Sequence, residues 1–208
     1  EHTRREALEK CKNQLALAER VGARCCVNIA GSLGNKWDGP GADNFTDETF
    51  TLIVDSIREI IDEVKPKRTF YTLETMPWIF PDTAESYLEL IKAVDREAFA
   101  VHFDPVNMIT SPRIYYHNGE MIREFIVKLG PYIKSCHGKD ISMEEKFLVH
   151  LDEVGPGEGI LDYKVLLTEL NTLDKDMPFI LEHLTTEDEY RKAAIYVKEV
   201  GAKVGVPL

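Results

Sequence analysis

Glu74, Asp104, His137 and Glu182 each close a short β-branched or apolar run: TFYTLE, FAVHFD, YIKSCH and PFILE. Three carboxylates and one imidazole make a common ligand set for a divalent metal ion, provided that four strand ends converge. An oxygen-rich set with one histidine suits Mn²⁺, with Mg²⁺, Co²⁺ and Zn²⁺ as the alternatives. Taken singly, each residue reads better as a salt-bridged carboxylate or a satisfied core histidine. Taken together they do not, because gathered carboxylates repel one another unless a cation holds them.

Strand ends converge when the strands of one sheet all point the same way. The chain alternates helical and strand patterns from end to end. Ala7, Leu8, Cys11, Leu15, Ala18 and Val21 form the stripe of a first helix over 4–21, stopped by Gly22. The strand RCCVNIA follows, then a glycine-rich loop over 31–45 that carries Trp37. A second helix, with Phe50, Ile53, Ile57, Ile60 and Val64, ends before Pro66. Asp82 with Glu85 reads as a capping box for a helix running to Val94. Further helices fall at 119–129, 163–170 and 190–200, the last capped by Thr186 with Glu189. FLVHL reads as one more short strand, ahead of the turn Gly155-Pro156-Gly157-Glu158-Gly159. That turn lacks a following Lys-Ser/Thr and reads as tight-turn chemistry, not a phosphate cradle.

Six strands in strict βα order imply a parallel sheet with right-handed crossovers. Six are too few for a closed (β/α)₈ barrel, which takes about 250 residues, and the chain opens on a helix. The expectation is therefore one α/β domain over 1–208, a TIM barrel lacking its first two βα units. Strands flanking such a gap expose unpaired backbone, so aggregation or strand exchange and poor folding of the segment alone are expected, with a homo-oligomer as one partner to test for. An open doubly wound sheet is the rival, but it would place a site at one switch point and not across four strand ends.

With 208 residues and 44% hydrophobic content, the chain has the make-up of a soluble globular domain. No apolar run approaches the roughly 20 residues of a membrane helix, and no signal peptide opens the chain. A net charge of −11 argues against nucleic acid and fits an enzyme of small polar metabolites. The four cysteines, Cys11, Cys25, Cys26 and Cys136, lack paired zinc spacing. Cys25 and Cys26, neighbours in an apolar strand-like run, read as buried free thiols, and a reducing cytoplasm is the default.

The segments LETMPW, HFDPVN, SCHGKD, VGPGEG and ILEHL, in this order, resemble the xylose-isomerase-like TIM-barrel superfamily of sugar-phosphate isomerases and epimerases. That superfamily carries Glu, Asp, His and Glu at the ends of strands four, five, six and eight. The resemblance thus implies Glu74, Asp104, His137 and Glu182 as metal ligands, an offset of two strands, and FLVHL as a ligand-poor seventh strand. It also implies Glu74 and Glu182 as the acid–base pair. The ion holds a carbonyl and a neighbouring hydroxyl, one glutamate removes the carbon-bound proton between them, and the other returns one. The substrate expected is a small sugar or sugar phosphate.

Two departures from the epimerase pattern stand out. Asn107 replaces a histidine three residues after the aspartate, and Pro77, Trp78, Ile79 and Phe80 stand where an extra glutamate is common. Asn107 is expected to hydrogen-bond a substrate hydroxyl. Trp37 and Trp78 either stack on a sugar or anchor their loops. Lys139 either meets substrate or pairs with Asp140. His150 is an acid–base or supporting candidate, with a structural role the plainer reading, and His102 reads as core. A lyase on keto-sugars or 3-keto glycosides is the alternative activity. An apurinic-site endonuclease is weaker, since it needs more histidines and a basic face.

Overall fold

In the computed structural model, which describes residues 2–208, the chain divides into two units, the first ending at His102 and the second starting at Phe103. The first opens with helix α1 (His2–Val21), after which Gly22 turns left-handed at φ 74°. Strand β1 (Cys25–Asn28) follows, then helix α2 (Asp47–Val64). Thr46 starts α2 by accepting the Thr49 N–H at 3.2 Å. Lys65 ends it in a left-handed conformation, because the residue before Pro66 cannot continue a helix comfortably. The buried stripe of Ile53, Val54, Ile57, Ile60 and Ile61 is the face that α2 turns inward.

Strands β2 (Phe70–Glu74) and β3 (Phe99–Phe103) lie parallel, with Tyr71 opposite Phe99 and Glu74 opposite His102. β1 runs parallel to β2 on its other side. Between β2 and β3 comes helix α3 (Ala84–Val94). Its capping box is Thr83 with Ser86, one residue later than Asp82 with Glu85. The Asp82 carboxylate instead accepts from the Ser86 hydroxyl at 2.9 Å. From α3 the buried Tyr87 hydroxyl reaches the carbonyl of Leu73 at 2.5 Å and that of Ala100 at 3.1 Å, tying β2 to β3.

Glu19, on the last turn of α1, aligns the start of β2. Its Oε2 accepts the backbone N–H groups of Thr69 at 2.9 Å and Arg68 at 3.1 Å. Those donors hold its carboxyl down at about 2, from an ordinary 4.5. A depressed carboxyl contributes stability above its unfolded value and loses it as pH falls through the folded one. The melting-temperature gap between wild type and Glu19→Ala at pH 7 should therefore close as pH falls from 4.5 toward 2. A gap that persists unchanged to pH 2 would show that the charge of Glu19 is irrelevant.

The second unit contains helices α4 (Pro112–Tyr116) and α5 (Asn118–Leu129), then strand β4 (Ile133–Gly138). Phe103 stacks on Phe125 of α5 with ring centroids 4.2 Å apart. β5 (Asp140–Met143) and β6 (Leu151–Val154) form an antiparallel hairpin. Helix α6 (Tyr163–Leu170), strand β7 (Phe179–Leu181) and helix α7 (Glu187–Lys203) complete the unit. Thr186 with Glu189 forms the expected capping box of α7.

FLVHL is not a parallel strand. Phe147, Leu148 and Val149 are exposed at the tip of the β5–β6 hairpin, and β4 pairs directly and in parallel with β7. The strict βα alternation breaks here, and FLVHL does not supply the expected seventh parallel strand. The 155–159 turn closes behind the hairpin. Gly157 sits at φ 94°, where a Cβ would lie 2.8 Å from the Tyr196 ring.

Candidate metal centre

The parallel register of β4 and β7 builds the site. Gly138 lies opposite Leu181, so Lys139 and Glu182, the next residues along, come level. Alternation puts Ser135, His137 and Lys139 on one face of β4, and Ile180 and Glu182 on the matching face of β7. A Cβ on Gly138 would meet the Phe179 ring at 2.4 Å, so glycine permits this close pairing.

Asp104 follows β3 directly and is fully buried. Its Oδ1 accepts the N–H groups of Val106 at 3.0 Å and Asn107 at 3.2 Å, which fixes the carboxylate plane. Its Oδ2 lies 3.3 Å from His137 Nδ1 and 2.7 Å from Lys139 Nζ. Glu182 Oε1 lies 2.8 Å from the same imidazole nitrogen and 2.7 Å from the same ammonium. Glu153, on β6, completes the group with Oε2 at 3.3 Å from Lys139 Nζ and Oε1 at 2.8 Å from His183 Nδ1.

Three carboxylates thus face one ammonium and two imidazoles, His137 beside Asp104 and Glu182 and His183 beside Glu153. Burial would push the Glu182 carboxyl up, but His137 and Lys139 beside it prevail and hold it down at about 2. Burial works against a charge on Lys139, yet Asp104 and Glu182 outweigh it and keep the ammonium protonated far above neutrality. Glu182 is therefore an anion, and Lys139 a cation, at neutral pH.

The donor set fits a divalent ion. Asp104, His137 and Glu182 each offer a ligand atom within 4.8 Å of the others. Glu182 Oε1 is also a buried oxygen with no well-angled hydrogen bond, despite its two charged neighbours.

The structure sorts the other sequence candidates. Asn107 is half-buried and supports Asp104 through its backbone N–H. Lys139 joins the cluster and does not pair with Asp140. That carboxylate accepts the N–H groups of Ile141, Gly157 and Leu161 at 2.9, 2.9 and 2.8 Å. His150 is exposed near the hairpin tip, held through its carbonyl, which accepts from the Glu144 N–H at 3.0 Å. His102 is fully buried in β3. Cys11, Cys25 and Cys26 are free but only half-buried, and Cys136 is free and buried.

In the first unit, Glu74 is the half-buried last residue of β2. Trp78, also half-buried, offers its carbonyl to the Asn44 side-chain amide at 2.9 Å. Phe80 packs edge-on against Phe45 and Phe50 at 5.4 and 5.5 Å, an anchor for its loop. Trp37 is 68% exposed and borders an apolar cavity of about 860 Å³ with Leu8, Cys11, Ile53 and Tyr71. Tyr71 and Leu73 line that cavity, so it lies on the face of β2 opposite Thr72 and Glu74.

Glu153 and His183 escaped the sequence reading. Nothing marks Glu153 until the hairpin is known to fold back antiparallel. His183 had a signal, its place directly after Glu182, but not its left-handed backbone at φ 58°.

The sequence profile of the family described as xylose isomerase-like TIM barrel matches residues 1–200. No protein in the curated set matches the sequence. Among solved structures, a D-tagatose 3-epimerase-like protein superposes with a TM-score of 0.73 at 18% identity, covering 98% of this chain and 72% of its own. A probable 3-DHS dehydratase of petrobactin synthesis from Bacillus anthracis gives 0.69 at 22% identity, covering 93% and 69%. A xylose isomerase-like TIM barrel protein from Mycobacterium smegmatis, in complex with magnesium, gives 0.72 at 17%, covering 96% and 68%. Each likeness is one of fold, and this chain spans about two thirds of each of those proteins. Among the described residues no helix is long and apolar enough to cross a membrane.

Proposed function

Because the chain belongs to the xylose isomerase-like TIM barrel family, we propose that it is a divalent-metal-dependent isomerase or epimerase of a sugar or sugar phosphate, working by proton abstraction beside a carbonyl. The observation that carries this reading is the Asp104–His137–Glu182 cluster, whose ligand atoms lie within 4.8 Å of one another. Glu74, Asp104, His137 and Glu182 would hold the ion, with Mn²⁺ the first choice and Mg²⁺, Co²⁺ and Zn²⁺ the others. When bound, the ion polarises a carbonyl oxygen and acidifies the neighbouring C–H bond.

The chain's own groups do the rest. Glu182, anionic at neutral pH, accepts the carbon-bound proton, and Glu74 is the second carboxylate of the exchange. Asp104, braced by two backbone N–H groups, keeps its geometry while charge develops nearby. Asn107 and Lys139 are the substrate contacts of this reading, with Trp37, Trp78 and His150 as further sequence-based candidates. Four free thiols suit work in a reducing cytoplasm.

A lyase acting on a keto-sugar is the second reading, favoured by the aromatic loops that carry Trp37, Trp78 and Phe80, with Asn107 a further departure from the common epimerase pattern. Both readings share the first proton transfer. The test is turnover of ketoses, sugar phosphates and 3-keto glycosides by Mn²⁺-loaded protein in deuterated water. Deuterium should enter a carbon beside the carbonyl, and product identity separates isomerase from lyase. Turnover with neither solvent deuterium nor intramolecular transfer at that carbon would refute proton abstraction.

A further inference from the structure

Lys139 is 2% exposed, and its ammonium lies among the carboxylates of Asp104, Glu182 and Glu153 at 2.7, 2.7 and 3.3 Å. An ammonium carries three N–H donors, matching this arrangement. The two short contacts fall on Asp104 Oδ2 and Glu182 Oε1, the same oxygens that face His137. The long contact falls on Glu153, a residue of the hairpin and not of the parallel strands. Glu153 is itself steadied by His183 at 2.8 Å.

Resting on the metal reading above, we infer that Lys139 is a built-in competitor of the divalent ion. It shares Asp104 Oδ2 and Glu182 Oε1 with the ion, and Glu153 is the carboxylate to which it withdraws. An ion ligated at oxygen distances of about 2.0–2.6 Å would leave two positive centres a few ångströms apart. At such separations, with little water between them, their repulsion is large. The lysine side chain has four rotatable bonds, and Glu153 already holds one side of its ammonium. Lys139 thus lowers the site's affinity for an ion, and in doing so keeps buried carboxylates partnered whenever no ion is bound. The Lys139–Glu153 pair then sets the threshold concentration at which the centre loads.

The test is Mn²⁺ titration calorimetry on the metal-stripped full chain, for wild type, Lys139→Met, Glu153→Gln and the double variant. Removing the ammonium should tighten Mn²⁺ binding about tenfold or more and lower the metal-free melting temperature. Glu153→Gln should weaken Mn²⁺ binding several-fold where Lys139 is present, and should change nothing in the Lys139→Met background. Unchanged or weaker binding in Lys139→Met, with stoichiometric binding by wild type, would overturn the competition and leave the metal centre standing. Absence of stoichiometric binding in wild type and variant alike would overturn both. Should Lys139→Met fail to fold, Glu153→Gln decides alone, and an unchanged affinity there rejects the proposal.

Discussion

Asp104→Asn is expected to cost about 3 kcal/mol of folding stability, the lower end of what breaking a buried ion pair costs. Asparagine keeps an oxygen for the Val106 and Asn107 N–H groups, so the loop after β3 stays braced. What disappears is the charge facing Lys139, whose ammonium is almost wholly buried. Glu182 and Glu153 still touch that ammonium, which places the cost at the low end, although both are partly exposed and compensate it incompletely. Adding Lys139→Met should restore part of the loss, because the double variant buries no uncompensated cation. Urea unfolding at pH 7 reads both numbers. A single-variant cost below about 1 kcal/mol, the range of exposed pairs, would show that the cluster is solvated and its charges nearly independent.

Glu182→Gln is expected to lower turnover by about 10²–10⁴, the usual cost of a lost acid–base group. The substitution preserves shape and one ligand oxygen but removes the base. Metal content must be measured alongside, since glutamine is the poorer ligand and metal loss would add to the effect. Full activity in a metal-loaded Glu182→Gln enzyme would remove Glu182 from proton transfer. Glu74→Gln, run in parallel, should show a loss of similar size if the two carboxylates act on opposite sides of one exchange.

Much of this was legible because ligand-type residues at the ends of β-branched runs carry a physical contradiction: carboxylates do not crowd together without a cation. That argument picked out Glu74, Asp104, His137 and Glu182; in the second unit the ligand atoms of the last three lie within 4.8 Å of one another, and Glu74 ends β2 in the first. Strand direction was not legible. FLVHL has the composition of a buried strand, but alternation reports only which faces are apolar, and an antiparallel hairpin with an apolar tip satisfies the same pattern. Because Glu153 comes from that hairpin, its approach to Lys139 was hidden for the same reason. The one-residue shift of the α3 cap has a local cause. Asp82 and Thr83 are both good caps, and Ser86 serves Thr83 as N3 while bonding Asp82 as well. The partner of Lys139 was open in sequence because its neighbour Asp140 and carboxylates brought in from other strands are equally charge-complementary, and the fold alone chooses Asp104 and Glu182.

The distribution of aromatic residues gives the molecule a built-in spectroscopic asymmetry. Both tryptophans, the exposed Trp37 and the half-buried Trp78, belong to residues 2–102, while 103–208 carries tyrosines but no tryptophan. Indole emission therefore reports on the first unit alone, whereas far-ultraviolet ellipticity draws on helices of both. Superimposable denaturation curves from the two probes would mean that the halves melt as one cooperative block, and separated curves that one half outlives the other. A tryptophan placed at Tyr116, exposed on α4, would give the second unit an optical signal of its own.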